Sequence, residues 1–141
     1  MNEHLLTGEV ARACGVSNDT IRHYERTGVI DKAARDRSGY RRYEPDTIDR
    51  VRTVRRALAI GFTLDELARI FRQRSSGRPP CREVRALAQQ KLRDLEIRLA
   101  ELLAVRETLT HTLAAWDSAL GSTPEGSPAH LLDMLNKGRN T

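Results

Sequence analysis

An apolar seam in the second half of the chain limits what it can fold into more than any other feature. Positions 88, 92, 95, 99, 102, 106, 109, 113, 116 and 120 step alternately by four and three, and hold Ala, Leu, Leu, Leu, Leu, Arg, Leu, Leu, Trp and Leu. Nine of the ten are apolar over more than four heptads, the spacing of a coiled-coil face. The pattern predicts one helix over residues 81–120, roughly 60 Å long at about 1.5 Å per residue. The stretch before it is too small to cover such a seam, so the seam needs a partner helix; folding back on its own domain is the competing reading. Leu92, Leu95, Leu99, Leu102, Leu109, Leu113 and Trp116 are the expected dimerisation residues.

Ahead of Ser75-Ser76-Gly77-Arg78-Pro79-Pro80 the signals are shorter. Thr7 is placed to cap a helix running through Cys14, and Gly15-Val16-Ser17 makes a tight turn. Ser17 caps a second helix that carries Asp19 in its first turn, ends near Arg26 and stops at Gly28. Helix, three-residue turn, helix has the spacing of a helix-turn-helix. Asp36 to Tyr43 mixes turn residues with aromatic and basic ones, as a hairpin or wing does. Pro45 opens a third helix with Ile48, Val51, Val54 and Leu58 on one face, closed by Gly61. Thr63 and Glu66 form a capping box for a fourth, stapled by Phe62 and Leu67, with Leu67, Ile70 and Phe71 facing inward. After the long helix, residues 121–128 form a loop and 129–135 a short amphipathic turn or helix, with the last six residues frayed. The expected fold is mainly α, with segments 5–74, 81–120 and 121–141.

Charge follows the same division. Residues 1–78 hold 16 Lys and Arg against 11 Asp and Glu, and residues 79–141 hold 8 against 8, so the whole excess of +5 lies in the first half. Of the 24 basic residues 21 are Arg, whose planar fork suits phosphate and guanine. A genome rich in G and C explains the Arg preference as well, but not the asymmetry. Nucleic acid is therefore the leading partner. No run of 18 apolar residues exists, so no membrane span is expected. Met1 to Leu6 carries Glu3 and lacks the pattern of a signal peptide, and two cysteines fit a reducing cytoplasm. An enzyme is not expected: His4, His23, His111 and His130 fall on different elements, and no nucleophile triad, carboxylate pair or phosphate-cradling glycine loop is present. An architectural DNA-binding protein and a coiled-coil adapter for RNA or a membrane surface are the rival classes.

Leu6-Thr7-Gly8-Glu9-Val10-Ala11, Gly15-Val16-Ser17, Thr20-Ile21-Arg22-His23-Tyr24-Glu25, Gly39-Tyr40-Arg41-Arg42-Tyr43 and Gly61-Phe62-Thr63-Leu64-Asp65-Glu66-Leu67 occur in that order. Together they resemble the MerR family of transcription regulators over residues 5–74. Cys81-Arg82-Glu83-Val84 and Lys91-Leu92-Arg93-Asp94-Leu95 extend the likeness into the metal-responsive branch. The resemblance implies a winged helix-turn-helix at each end of an antiparallel coiled-coil homodimer. Such a dimer binds a pseudo-palindromic promoter element and remodels its spacer so that RNA polymerase can engage.

On that reading the second helix enters the major groove. Arg22 is the foremost base reader, since its fork matches guanine O6 and N7; Asn18, Thr20, His23 and Tyr24 follow. Tyr24 can equally pack inward, and His23 stands where many relatives carry Tyr. In the wing, Tyr40, Arg41 and Arg42 reach phosphates while Tyr43 packs inward. Arg50, Arg52, Arg55 and Arg56 add long-range attraction or form a solvent face.

The effector is bounded by chemistry. The length beyond the coiled coil leaves no room for a drug-binding domain, and two cysteines cannot hold an iron–sulfur cluster. Cys81 lies at a helix N-terminus, where a thiolate is favoured. By resemblance it matches the cysteine that divalent-metal sensors place near the partner's loop. Those sensors carry further loop cysteines, and here residues 116–130 have none, with Ala129 where the last would fall and His130 one residue on. Cys81, His130 and a carboxylate such as Asp117 or Glu125 form a donor set compatible with zinc. Thiol modification by an electrophile, or no effector at all, are the alternatives. Cys14 reads as a small buried hydrophobe.

Overall fold

The computed structural model describes residues 3–137; residues 1–2 and 138–141, with most of the tail expected to fray, lie outside the described residues. The chain divides into two compact units, one through Lys91 and one from Leu92. The first holds α1 (Thr7–Cys14), α2 (Asn18–Thr27), the hairpin β1 (Ala34–Arg35) and β2 (Arg41–Arg42), α3 (Thr47–Ala59) and α4 (Leu64–Ser75). The long α5 (Cys81–Gly121) starts in the first unit and fills most of the second, ahead of α6 (Met134–Lys137).

Local chemistry sets most of these boundaries. The Ser17 hydroxyl accepts the Thr20 N–H at 3.1 Å, and Thr63 with Glu66 closes a reciprocal capping box at 3.1 and 2.8 Å. Gly15 and Gly28 end α1 and α2 with φ of 68° and 84°, a backbone that would strain any side-chain-bearing residue. Two expected starts move. The cap residue of α1 is Leu6 rather than Thr7, because the Glu9 carboxylate reaches back to the Leu6 N–H at 3.1 Å. α3 begins at Thr47 behind Asp46, so Pro45 lies in the turn before the helix.

The core of the head gathers Val10, Ile21, Val29, Tyr43, Val51 and Val54, each no more than 1% exposed, with Phe62, Leu67 and Phe71 closing it. Burying that apolar surface is the main stabilising term of the unit. Leu5 pairs with Tyr43 in an antiparallel bridge through two 2.8 Å hydrogen bonds, so the wing is stitched to the entry of α1. The first eleven residues of α5, Cys81 to Lys91, belong to the head, and Val84, Leu87 and Ala88 pack on its core. Ala88 therefore faces the head and does not open the seam, which starts at Leu92. Farther along, Leu92, Leu95, Leu99, Leu102, Leu109 and Leu113 are between 49% and 61% exposed in the single protomer, and Trp116 is partly buried. A soluble chain rarely leaves such a row uncovered. No described helix is long and apolar enough to cross a membrane.

Candidate nucleic-acid interface

The second helix of the helix-turn-helix carries two faces. Ile21 and Tyr24 turn into the core, and Asn18 and His23 are exposed. Tyr24 is only 6% exposed, which corrects its place among the groove-facing candidates: the helical period puts it three residues from Ile21, on the buried side. Thr20 is half-buried and its hydroxyl lies 2.9 Å from that of Ser17, within the cap of α2. Arg22 is held by Asp19 at 2.9 Å through Nη1, while its Nε is buried without a hydrogen-bond partner.

The wing is a two-residue-per-strand hairpin with Ala34 opposite Arg42 and Arg35 opposite Arg41. Asp36 organises its tip: one carboxylate oxygen accepts the N–H groups of Ser38 and Tyr40, and the other accepts Arg42 Nε at 2.9 Å. That charged hydrogen bond from Arg42, helped by the two backbone donors, holds the Asp36 carboxyl below the usual carboxylate range. Arg42 is thus engaged inside the wing, whereas Tyr40 is 65% exposed. Gly39 takes φ 82° at the tip, leaving its carbonyl to accept Arg35 Nη1 at 2.8 Å.

Helix-turn-helix and wing meet at a cleft of about 280 Å³ whose walls include Gly8, Asn18, Arg22, Arg35, Tyr40 and Arg41. Of the sequence candidates, Asn18, Arg22, Tyr40 and Arg41 converge here; the exposed His23 and the half-buried Thr20 and Arg42 lie outside the lining. Arg35 was not singled out from the sequence, and only the hairpin register that sets it across from Arg41 could have found it. Three arginines line this one concave surface, and guanidinium groups are suited in chemistry to phosphate.

Arg52, Arg55 and Arg56 of α3 are exposed, as a solvent face requires, and three of the four α3 arginines also have partners in the head. Arg55 donates to the Cys14 carbonyl at 2.6 Å and Arg52 to that of Ala13 at 3.4 Å, satisfying the C-terminal end of α1. Arg50 stacks over the Phe71 ring, 4.0 Å from its centre. Arg56 is exposed on the solvent side.

The two thiols are unlike. Cys14 is 6% exposed beside the Ile48 carbonyl, and burial pushes its thiol up. Cys81 is exposed in the first turn of α5, beside a cavity of about 570 Å³ lined by Ile70, Phe71, Arg74, Pro79, Pro80 and Val84. His130 lies in the second unit and pairs with Asp133 at 3.6 Å. Among the described residues no three of His, Cys, Asp or Glu gather as metal ligands.

Two family profiles match this chain: MerR HTH family regulatory protein over residues 6–74, and MerR, DNA binding over residues 48–112. It is 33% identical over 120 residues to the mercuric resistance operon regulatory protein of Pseudomonas fluorescens, spanning 85% of this chain and 82% of that protein. Over 132 residues it is 27% identical to the HTH-type transcriptional regulator ZntR of Escherichia coli K12, spanning 93% and 92%. Among solved structures, the lead(II) complex of the transcription regulator PbrR691 from Ralstonia metallidurans CH34 superposes with a TM-score of 0.68 at 27% identity, over 77% of this chain and 84% of that one.

Proposed function

The chain belongs to the MerR family of DNA-binding transcription regulators, and from that premise we propose that it acts as a homodimer reading a pseudo-palindromic promoter element. Each copy sets α2 in the major groove and its wing on the flanking backbone, and the pair remodels the spacer for RNA polymerase. The observation that carries this reading is the cleft where Arg22 of α2 meets Arg35, Tyr40 and Arg41 of the wing. Base reading falls to Arg22 with Asn18 and His23; backbone contact falls to Tyr40 and Arg41. Thr20 and Arg42 shape the two elements. The uncovered leucines of α5 support the dimer, and a two-fold dimer matches two half-sites. As a family of regulators, these proteins are not enzymes.

The test is DNA affinity on an inverted repeat against scrambled duplex. Arg22→Ala is expected to cost roughly 1–3 kcal/mol on the repeat and to relax preference at one base pair per half-site. Arg41→Ala is expected to weaken both duplexes alike and to flatten the salt dependence. Equal losses on both duplexes for Arg22→Ala would remove it from base reading.

A second reading concerns the effector. Relatives are named for mercuric resistance, and one solved relative holds lead(II), which favours a thiophilic or divalent metal ion, zinc included, acting at Cys81. The exposed thiol supports Cys81 as the sensing residue. Such an ion would take His130 and a carboxylate such as Asp117 or Glu125 beside Cys81, a donor set with zinc-type chemistry. Modification of Cys81 by an electrophile needs no further donors and is the alternative, beside an architectural protein without an effector.

A further inference from the structure

Glu25 lies in the last part of α2 with its side chain only 10% exposed, an expensive place for a carboxylate unless its charge is answered. All three groups that answer it come from beyond the helix. Oε1 accepts the Ala33 N–H at 3.4 Å, on the approach to β1; Oε2 accepts the Tyr43 hydroxyl at 2.5 Å, just past β2; and the Arg41 Nε stands 3.3 Å from Oε2. The last contact is an ion pair off the line of a hydrogen bond, since Arg41 Nε is buried without a hydrogen-bonded partner. One carboxylate of the recognition helix therefore touches the wing where it begins, within its second strand and where it ends.

The wing depends on such anchors. A hairpin of two residues per strand has too few ladder bonds to hold its own geometry in water. Its attachments include the Leu5–Tyr43 bridge, which joins it to the entry of α1, and Glu25, which joins it to α2. Arg41, gripped at Nε, lines the cleft that also holds Arg22.

We propose that Glu25 is a positioning residue for DNA recognition: it sets the wing against the recognition helix and aims Arg41 at the phosphate backbone. The proposal rests on the interface reading above. It makes a demand opposite in sign to simple electrostatics. A buried acid next to DNA-facing arginines repels phosphate, so removing its charge tightens DNA binding if Coulomb forces alone matter. If Glu25 aims Arg41, removing the charge weakens binding.

The experiment compares wild type, Glu25→Gln, Arg41→Ala and the double variant by DNA affinity across a salt series on the full-length protein. Glu25→Gln keeps an oxygen for the Tyr43 hydroxyl but releases Arg41. It is expected to bind about tenfold more weakly, with a log–log salt slope shallower by about one unit per protomer. In the Arg41→Ala background the same change is expected to cost little, because the two losses are one loss. The Tyr43 phenol, pushed up to about 12 by burial and by Glu25, is expected to titrate lower in the variant, read from tyrosinate absorbance. Tighter or unchanged binding by Glu25→Gln, or additive losses in the double variant, would overturn the proposal. Glu25→Asp, which keeps the charge but withdraws it by one methylene, provides the same test should Gln impair folding; wild-type affinity there would also overturn it. If Arg41→Ala and Arg22→Ala leave DNA affinity intact, the interface reading itself fails, a result separate from either sign of Glu25→Gln.

Discussion

The Glu66 carboxylate serves two structures with one oxygen. Oε1 accepts the Thr63 N–H at 2.8 Å, completing the capping box of α4, and receives the Lys91 ammonium of α5 at 2.7 Å. Lys91 also lies 5.5 Å above the Phe62 ring, and the two charged side chains are 22% and 18% exposed. Glu66→Gln retains an oxygen for the cap and loses the attraction to Lys91, at a cost of about 0.5–1 kcal/mol. Glu66→Ala loses the reciprocal cap as well, for a total of roughly 1–2 kcal/mol. The charged hydrogen bond from Lys91, reinforced by Thr63, holds the Glu66 carboxyl below its ordinary value against the opposing effect of burial. Since the group is more acidic folded than unfolded, its contribution is complete above the unfolded value near 4.3 and fades as pH falls through the folded one. The stability gap between wild type and Glu66→Gln is therefore expected to be full at neutral pH and to close progressively as pH falls below the unfolded value near 4.3. Urea denaturation followed by circular dichroism measures it, at one protein concentration because self-association shifts apparent stability. A gap that stays constant from neutral pH into the acid range, or no gap at pH 7, would refute this account of Glu66.

Two further outcomes follow from features already described. Leu99→Lys with Leu102→Lys places charge on the uncovered face of α5 and is expected to yield monomers in sedimentation, whereas a persistent dimer would mean the contact lies elsewhere. Cys81→Ser is expected to preserve melting temperature and DNA affinity while abolishing the transcriptional response to thiophilic metal or electrophile; a full response in that variant would end the sensing role of the thiol.

Features written in neighbouring residues were legible in the sequence. Ser17, the Thr63–Glu66 box and the glycines at 15 and 28 announce their boundaries because cap and capped group lie within four residues. The alternating four-three leucines announce α5 for the same reason, as periodicity is local. The start of α1 was misplaced by one residue because Glu9, not Thr7, answers the free N–H. Tyr24 was undecided because an aromatic ring with a polar tip suits either face of a helix, and only the packing of α2 against the core resolves it. What stayed illegible depends on distant partners. Arg55 finds its carbonyl 41 residues earlier, Glu25 meets Tyr43 18 residues on, and Lys91 reaches back to Glu66. In the sequence these are ordinary polar and charged residues, and nothing local separates an arginine that faces solvent from one that closes a helix.

The contrast between a thiol sealed in the core and one open at the foot of α5 makes the natural chain its own labelling reagent. A maleimide dye has one place to attach, so each folded copy carries a single fluorophore at the junction of head and long helix, with no engineered cysteine. The dye reports the tumbling of whatever it is attached to, so a rise in its rotational correlation time with protein concentration counts association directly. A gain of a second dye per chain signals that the head has opened, which makes labelling stoichiometry a gauge of how often the core around Cys14 admits solvent.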